Sequence, residues 1–146
     1  MIQIRPDEVR YDDRHYLRLS GRSGAIEGET LKVSLGETIV VGRSRTCDLS
    51  LKTTPRYLAD VDGERERIRA SLAFRAVSRQ HFRLTYLGPD RVEIQNLSRN
   101  GTLVDGHRVD RVLLDDVRRR CHDIRLGRSG DVLELSCGSV ELAESA

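Results

Sequence analysis

Residues 81–97 read HFRLTYL-GPD-RVEIQNL: two runs with apolar residues at alternate positions, joined at Gly88-Pro89-Asp90. Alternation with period two places Phe82, Leu84 and Tyr86, then Val92 and Ile94, on one face of an extended chain. Gly, Pro and Asp supply the backbone angles and local hydrogen bonds of a turn. Working outward, the same rhythm recurs in Tyr16-Leu17-Arg18-Leu19, Thr30-Leu31-Lys32-Val33 and Thr38-Ile39-Val40-Val41. It continues in Arg108 to Leu114 (RVDRVLL), Asp123 to Leu126 and Asp131 to Leu135 (DVLEL), with turn signals at Gly36, Asn100-Gly101, Asp105-Gly106 and Gly130-Asp131. No stretch carries a long 3.6-residue stripe, so the chain is expected to be all-β, a sandwich or a barrel.

A chain of 146 residues has room for one sizeable core. Its apolar share of 38% is spread along the whole length, which argues against intrinsic disorder. Residues 14–137 are expected to form the domain, with a weakly held arm at 1–13 and a tail at 138–146. Residues 52–77 (KTTPRYLADVDGERERIRASLAFRAV) break the rhythm as a charged insertion between two well-marked strands. Asp62-Gly63 is able to turn a hairpin there, with Ile68, Leu72 and Phe74 packing down, and a loose loop fits equally well. Long insertions in small domains are usually functional or flexible.

Composition also narrows the function. No run approaches the roughly eighteen apolar residues of a spanning helix, so no membrane partner is expected. The opening MIQIRPDEVRYDDRHY carries charges where a secretory leader needs an apolar run. Cys47, Cys121 and Cys137 are an odd set without metal-ligand spacing, which fits reduced thiols in the cytoplasm, no metal and no cofactor. Lys32 and Lys52 are the only lysines, so nearly every cation is an arginine, whose planar fork of donors suits phosphate. Acidic residues are interleaved with these arginines and aromatics make up only 4%, a poor composition for a nucleic-acid binder. No HExxH, phosphate-loop or dinucleotide glycine pattern occurs, and His15, His107 and Cys121-His122 make no convincing metal set, so no enzyme is expected.

Chemistry concentrates in three loop clusters: Gly42-Arg43-Ser44 leading to Cys47, Asp48 and Leu49; Ser78-Arg79-Gln80-His81; and Asn96 to Gly106. Taken singly each is weak, since Gly-Arg-Ser recurs at 21–23 and 127–129, but only the copy at 42 is followed by CDLSL. In order and spacing, VGRSRTCDLSL, VSRQHFRL and NLSRNGTLVDG resemble the forkhead-associated (FHA) domain from about Tyr16 to Leu135. The resemblance implies a twisted antiparallel β-sandwich of the SMAD/FHA type with functional loops at one end, which binds a phosphothreonine-containing protein as a monomeric signalling module. A phosphothreonine carries about −2 charge and three strong acceptors. Arg43, placed by Gly42 after a rigid strand, is expected to supply charged donors, Ser78 a hydroxyl and Arg79 a backbone N–H. The Asn100 amide has both donor and acceptor for a peptide backbone. Arg99, like Arg45, stands beside this presumed pocket, either as a peptide contact or as a solvated loop residue.

Supporting roles are expected of four more residues. The resemblance makes His81 an inward brace of the loops rather than a ligand contact. Gly101 is expected to take a positive φ, and Thr102 and Asp48 to tie loops to backbone. Ser78 and His81 lie on one short segment facing apart, which disfavours a nucleophile pair. Three features depart from the family pattern: Asp105 where asparagine is common, Arg99 where a smaller polar residue is common, and the length of 52–77. The alternative reading is an FHA-fold scaffold that binds a partner independently of phosphorylation, through another face or the 52–77 insertion. A further idea is self-recognition, with Thr53 or Thr54 phosphorylated before Pro55.

Overall fold

Alternate burial along strands is what the apolar rhythm becomes in three dimensions: Phe82, Leu84 and Tyr86 are fully buried while Arg83 and Leu87 face solvent. The computed structural model describes residues 15–139; the expected arm at 1–13 and the rest of the tail lie outside the described residues. In chain order the strands are β1 (His15–Ser23), β2 (Thr30–Ser34), β3 (Thr38–Gly42), β4 (Leu49–Ser50), β5 (Phe82–Gly88) and β6 (Arg91–Asn96). Then follow β7 (Thr102–Val104), β8 (His107–Val109), β9 (Arg111–Leu114), β10 (His122–Leu126) and β11 (Val132–Ser139). One sheet has the order β2-β1-β11-β10-β7-β8 and the other β4-β3-β5-β6-β9. Pairing is antiparallel except for a short parallel bridge of Val41 with Leu49 and Gly42 with Ser50.

The core is made where the two sheets' inner faces meet. Leu17, Leu19, Val33, Ile124, Leu126, Leu133 and Leu135 come from the first sheet, and Ile39, Val41, Phe82, Leu84, Tyr86, Val92 and Ile94 from the second. Each such side chain contributes about 1.5–3 kcal/mol by leaving water. An all-β sandwich is thus the observed architecture, with two corrections of detail. Arg108–Leu114, read as one strand, is two: β8 pairs with β7 in the first sheet and β9 with β6 in the second. The chain changes sheets at Asp110, whose carbonyl accepts the Asn96 N–H at 2.8 Å. The last strand also outruns the boundary at 137, since Gly138 pairs with Tyr16 and Ser139 with His15.

The 52–77 insertion is neither a hairpin nor a loose loop. It folds into α1 (Pro55–Ala59), a 3-10 turn (Val61–Gly63), α2 (Glu64–Ala70) and α3 (Leu72–Arg75). The local causes are helix-start signals: Thr54 caps α1 by accepting from the Tyr57 N–H, with Pro55 at the first helical position, and Ser71 caps α3 by accepting from the Phe74 N–H. In α2 the acids Glu64 and Glu66 precede Arg67 and Arg69, matching the helix dipole. Asp60 and Asp62 carry the left-handed angles that separate these turns. Tyr57 and Phe74 are buried and stack with ring centroids 5.8 Å apart, joining the insertion to the core, and Arg65 Nε donates to the Tyr57 carbonyl at 2.9 Å. Of the three residues expected to pack down, Phe74 is buried and Ile68 half-buried, but Leu72 is 80% exposed. Thr54 is itself buried beneath its capped helix, so phosphorylating it requires the insertion to open. No helix among the described residues is long and apolar enough to cross a membrane.

Because Phe74 is the insertion's main anchor, Phe74→Ala should cost about 3 kcal/mol. Denaturant titration checks this: one transition with an unchanged m value means the insertion unfolds with the sandwich, and a reduced m value means it has come away first.

Candidate functional site

The loops after β3, before β5 and after β6 are laced by backbone bonds before any side chain is considered. Arg43 N–H donates to the Ser78 carbonyl at 2.9 Å and Ser44 N–H to the Arg79 carbonyl at 3.0 Å. His81 N–H donates to Val41 O, and Leu97 N–H to His81 O, both at 2.8 Å. Gly42 makes the approach to Arg79 possible: a Cβ there would lie 2.3 Å from the Arg79 carbonyl oxygen. The thiol of buried Cys47 donates to the same oxygen at 3.0 Å, and Asp48 fixes the loop base by accepting from Val40 N–H at 2.8 Å. Burial pushes the Cys47 thiol up, which suits a packing rather than a reactive cysteine.

His81 is completely buried at the crossing of the three loops. Its Nδ1 accepts from Ser78 N–H at 3.1 Å, so Nε2 must carry the proton, which it donates to the Gly101 carbonyl at 2.7 Å. The imidazole is a neutral brace with both nitrogens committed, and neither is available to draw a proton from the Ser78 hydroxyl. That hydroxyl instead lies 2.6 Å from the Ser98 Oγ, which also accepts from Asn100 N–H at 3.0 Å. Asn96 closes the third loop on itself, accepting from Ser98 N–H and from the Thr102 hydroxyl at 2.8 Å. Thr102 is therefore tied to a side chain and not to backbone as expected. Gly101 has φ +87°, and a Cβ would meet the Arg108 guanidinium at 2.9 Å.

Arg43, Ser44, Arg75, Ser78 and Arg79 line a cleft of about 670 Å³. The Arg43 guanidinium lies 5.8 Å from the centre of the Phe74 ring, so an insertion residue backs the cation of the β3 loop. No aspartate or glutamate lines this cleft, and among the described residues Arg43, Arg75 and Arg79 make no ion pair. Arg99 and Asn100 do not line it; with Ala76, Arg108 and Arg128 they line a separate hollow of about 290 Å³. The Asn100 Nδ2 donates to the Ala76 carbonyl at 2.5 Å, which occupies a donor expected to serve a peptide. Asp105 adds no free negative charge. Its carboxylate meets His122 Nδ1 at 2.6 Å, Asp123 N–H at 2.9 Å and Arg120 at 3.3 Å. Burial raises its pKa, but the His122 bond and its other partners outweigh that and hold it below the ordinary carboxylate value.

Sequence reasoning missed Ser98 and Arg75. Ser98 had a local signal in Asn96-Leu97-Ser98, the spacing at which an asparagine side chain bonds the backbone two residues on. Arg75 had none, because its place in the cleft depends on α3 being a helix.

The FHA family model matches residues 39–135, and the chain belongs to the FHA-domain family. Solved structures of similar fold include the FHA domain of the CT664 protein from Chlamydia trachomatis, at 20% identity and TM-score 0.58, covering 83% of this chain and 96% of that one. The FHA domain of an Arabidopsis thaliana hypothetical protein is 26% identical with TM-score 0.55, covering 87% of each chain. Mycobacterium tuberculosis EmbR, in complex with a low-affinity phosphopeptide, is 19% identical with TM-score 0.55, covering 85% of this chain and 25% of that one. Comparison with curated proteins finds no match.

Two outcomes test the site's construction. Gly42→Ala should lower the thermal midpoint by several degrees, because the β3 loop must part from the Arg79 carbonyl. Burial pushes the His81 imidazole below its ordinary value, with the Gly101 bond opposing. Stability from this neutral group is fully present above about pH 6.5 and is lost as pH falls through the depressed folded value. Thermal midpoints at pH about 7.5 and about 5.5 should therefore drop further apart in wild type than in His81→Gln, a variant less stable at both.

Proposed function

We propose that this FHA domain reads phosphothreonine-containing protein segments and performs no catalytic step. The observation that supports the reading is the convergence of Arg43, Ser78 and Arg79 on one cleft without an acidic side chain. Arg43 supplies charge-assisted donors to the phosphate. If Ser98 donates to Ser78 within their hydroxyl pair, the Ser78 proton is left for a second phosphate oxygen. Arg79 contributes at the cleft wall, where its backbone carbonyl is already used by Ser44 and Cys47 and its guanidinium is exposed. Asn100 keeps its Oδ1 to accept from a peptide N–H, and Arg99, Arg108 and Arg128 beside it offer positive charge to the flanking peptide. EmbR, a protein of like fold, is in complex with a low-affinity phosphopeptide, which supports a phosphopeptide partner. One phosphate and a few backbone bonds, all near water, imply an affinity on the order of micromolar.

The scaffold reading draws on a different observation, the exposed Leu58, Val61 and Leu72 of the insertion, at 54%, 61% and 80%. The two separate at Arg43. In calorimetric titration, Arg43→Ala should weaken binding to a degenerate phosphothreonine peptide pool by about 2 kcal/mol or more, with the thermal midpoint close to wild type. An unphosphorylated pool that binds equally well, or an Arg43→Ala protein that binds unchanged, overturns the phosphothreonine reading in favour of the scaffold.

A further inference from the structure

A second cleft, of about 720 Å³, adjoins the first and shares Arg43, Ser44, Arg75 and Arg79 with it. It runs away from Ser78, across the Phe74 ring, to Arg45, Lys52 and Arg69. The insertion region makes this extension. Arg69 stands in the last turn of α2, and Lys52 follows β4, where Leu51 N–H donates to Gly42 O at 3.1 Å and Lys52 N–H to Ser50 Oγ at 3.0 Å. The floor is anchored by the buried Tyr57–Phe74 stack, so these cations are carried on packed structure.

Charge is distributed unevenly over the molecule. Among the described residues, every arginine that pairs with an acid lies outside the two clefts: Arg22 with Glu134, Arg56 with Glu64, Arg65 with Asp60, Arg111 with Glu93 and Arg120 with Asp105 and Asp116. Along the two clefts six cations gather without one acidic lining residue, and none of the six makes an ion pair among the described residues. Gathering like charges is unfavourable by itself, and an anionic ligand offsets it. A single phosphoryl group, at about −2, is already matched by Arg43, Arg75 and Arg79. Arg45, Lys52 and Arg69, which line only the second cleft, then stand as three further cations beside the shared Arg43, Arg75 and Arg79.

We propose that this second cleft binds a second phosphoryl group on the same peptide, so that the domain selects doubly phosphorylated segments. The proposal rests on the phosphothreonine reading of the first cleft and adds to it a specificity set by Arg45, Lys52 and Arg69.

The test uses synthetic peptides with one fixed phosphothreonine and, at each flanking position in turn, a second phosphothreonine, a glutamate or an alanine. Titration calorimetry is run on the wild type, on Lys52→Ala/Arg69→Ala, and on a control double variant, Arg91→Ala/Arg118→Ala, which removes two exposed cations outside both clefts. At one position or a narrow range, the doubly phosphorylated peptide should bind wild type roughly tenfold or more tightly than its alanine counterpart. Lys52→Ala/Arg69→Ala should lose that gain while holding the singly phosphorylated peptide as wild type does, and the control should keep it. A gain that never appears in wild type, or that survives in Lys52→Ala/Arg69→Ala, overturns the proposal. A glutamate matching the second phosphothreonine overturns the phosphoryl assignment in favour of a carboxylate. If the singly phosphorylated peptide fails to bind wild type at all, the first-cleft reading has failed instead.

Discussion

The loop end of this molecule depends on one buried, neutral imidazole. His81 takes an N–H from Ser78 on one nitrogen and gives its own proton to the Gly101 carbonyl on the other, while its backbone bonds Val41 and Leu97. An uncharged ring with both nitrogens satisfied sits in the interior at little cost, whereas a charged or unpaired one would not. Three loops that are far apart in sequence are thereby held at fixed separations. The exposed side chains that reach into the cleft inherit that order without having to supply it, so a site made of flexible arginines can still be pre-organised.

The helical insertion is the second organising element. Small buried aromatics do for it what the sheets do for the rest of the chain: Tyr57 and Phe74 stack, join the core and leave polar groups outside. Phe74 then backs Arg43 on one side, and the helices carry Arg69 and Arg75 to the rim on the other. The insertion thus both widens the cationic surface and braces its central residue. Its burial of Thr54 also explains why that hydroxyl serves as a helix cap and is no ready target for modification.

Much of the architecture was legible in the sequence, because period-two apolar patterning and turn chemistry are local properties. The hairpin of β5 and β6 is the clearest case, since Phe82, Leu84, Tyr86, Val92 and Ile94 are all fully buried as their spacing predicts. The split of Arg108–Leu114 between sheets was not legible, because alternation says which face a residue takes and not which sheet the strand joins. The insertion's helices escaped notice for a related reason. Four to seven residues are too few for a 3.6-residue stripe, and only their caps, Thr54-Pro55 and Ser71, marked them.

For the site, sequence by itself determined the chemical inventory: the family's three loop motifs, an arginine behind a glycine, a serine, an inward histidine and an asparagine beside a tight glycine turn. Tertiary structure alone decided the groupings. It placed Arg43, Ser78 and Arg79 in one cleft, set Asn100 and Arg99 in another, and tied one N–H of the Asn100 amide to the Ala76 carbonyl. It also brought Arg75 and Arg69 to the rim from a segment with no recognisable motif. The reason is that a motif records which groups are present and in what order along the chain. Whether a donor remains free, or which charges face each other, depends on contacts between residues such as Asn100 and Ala76, which only folding brings within hydrogen-bond distance.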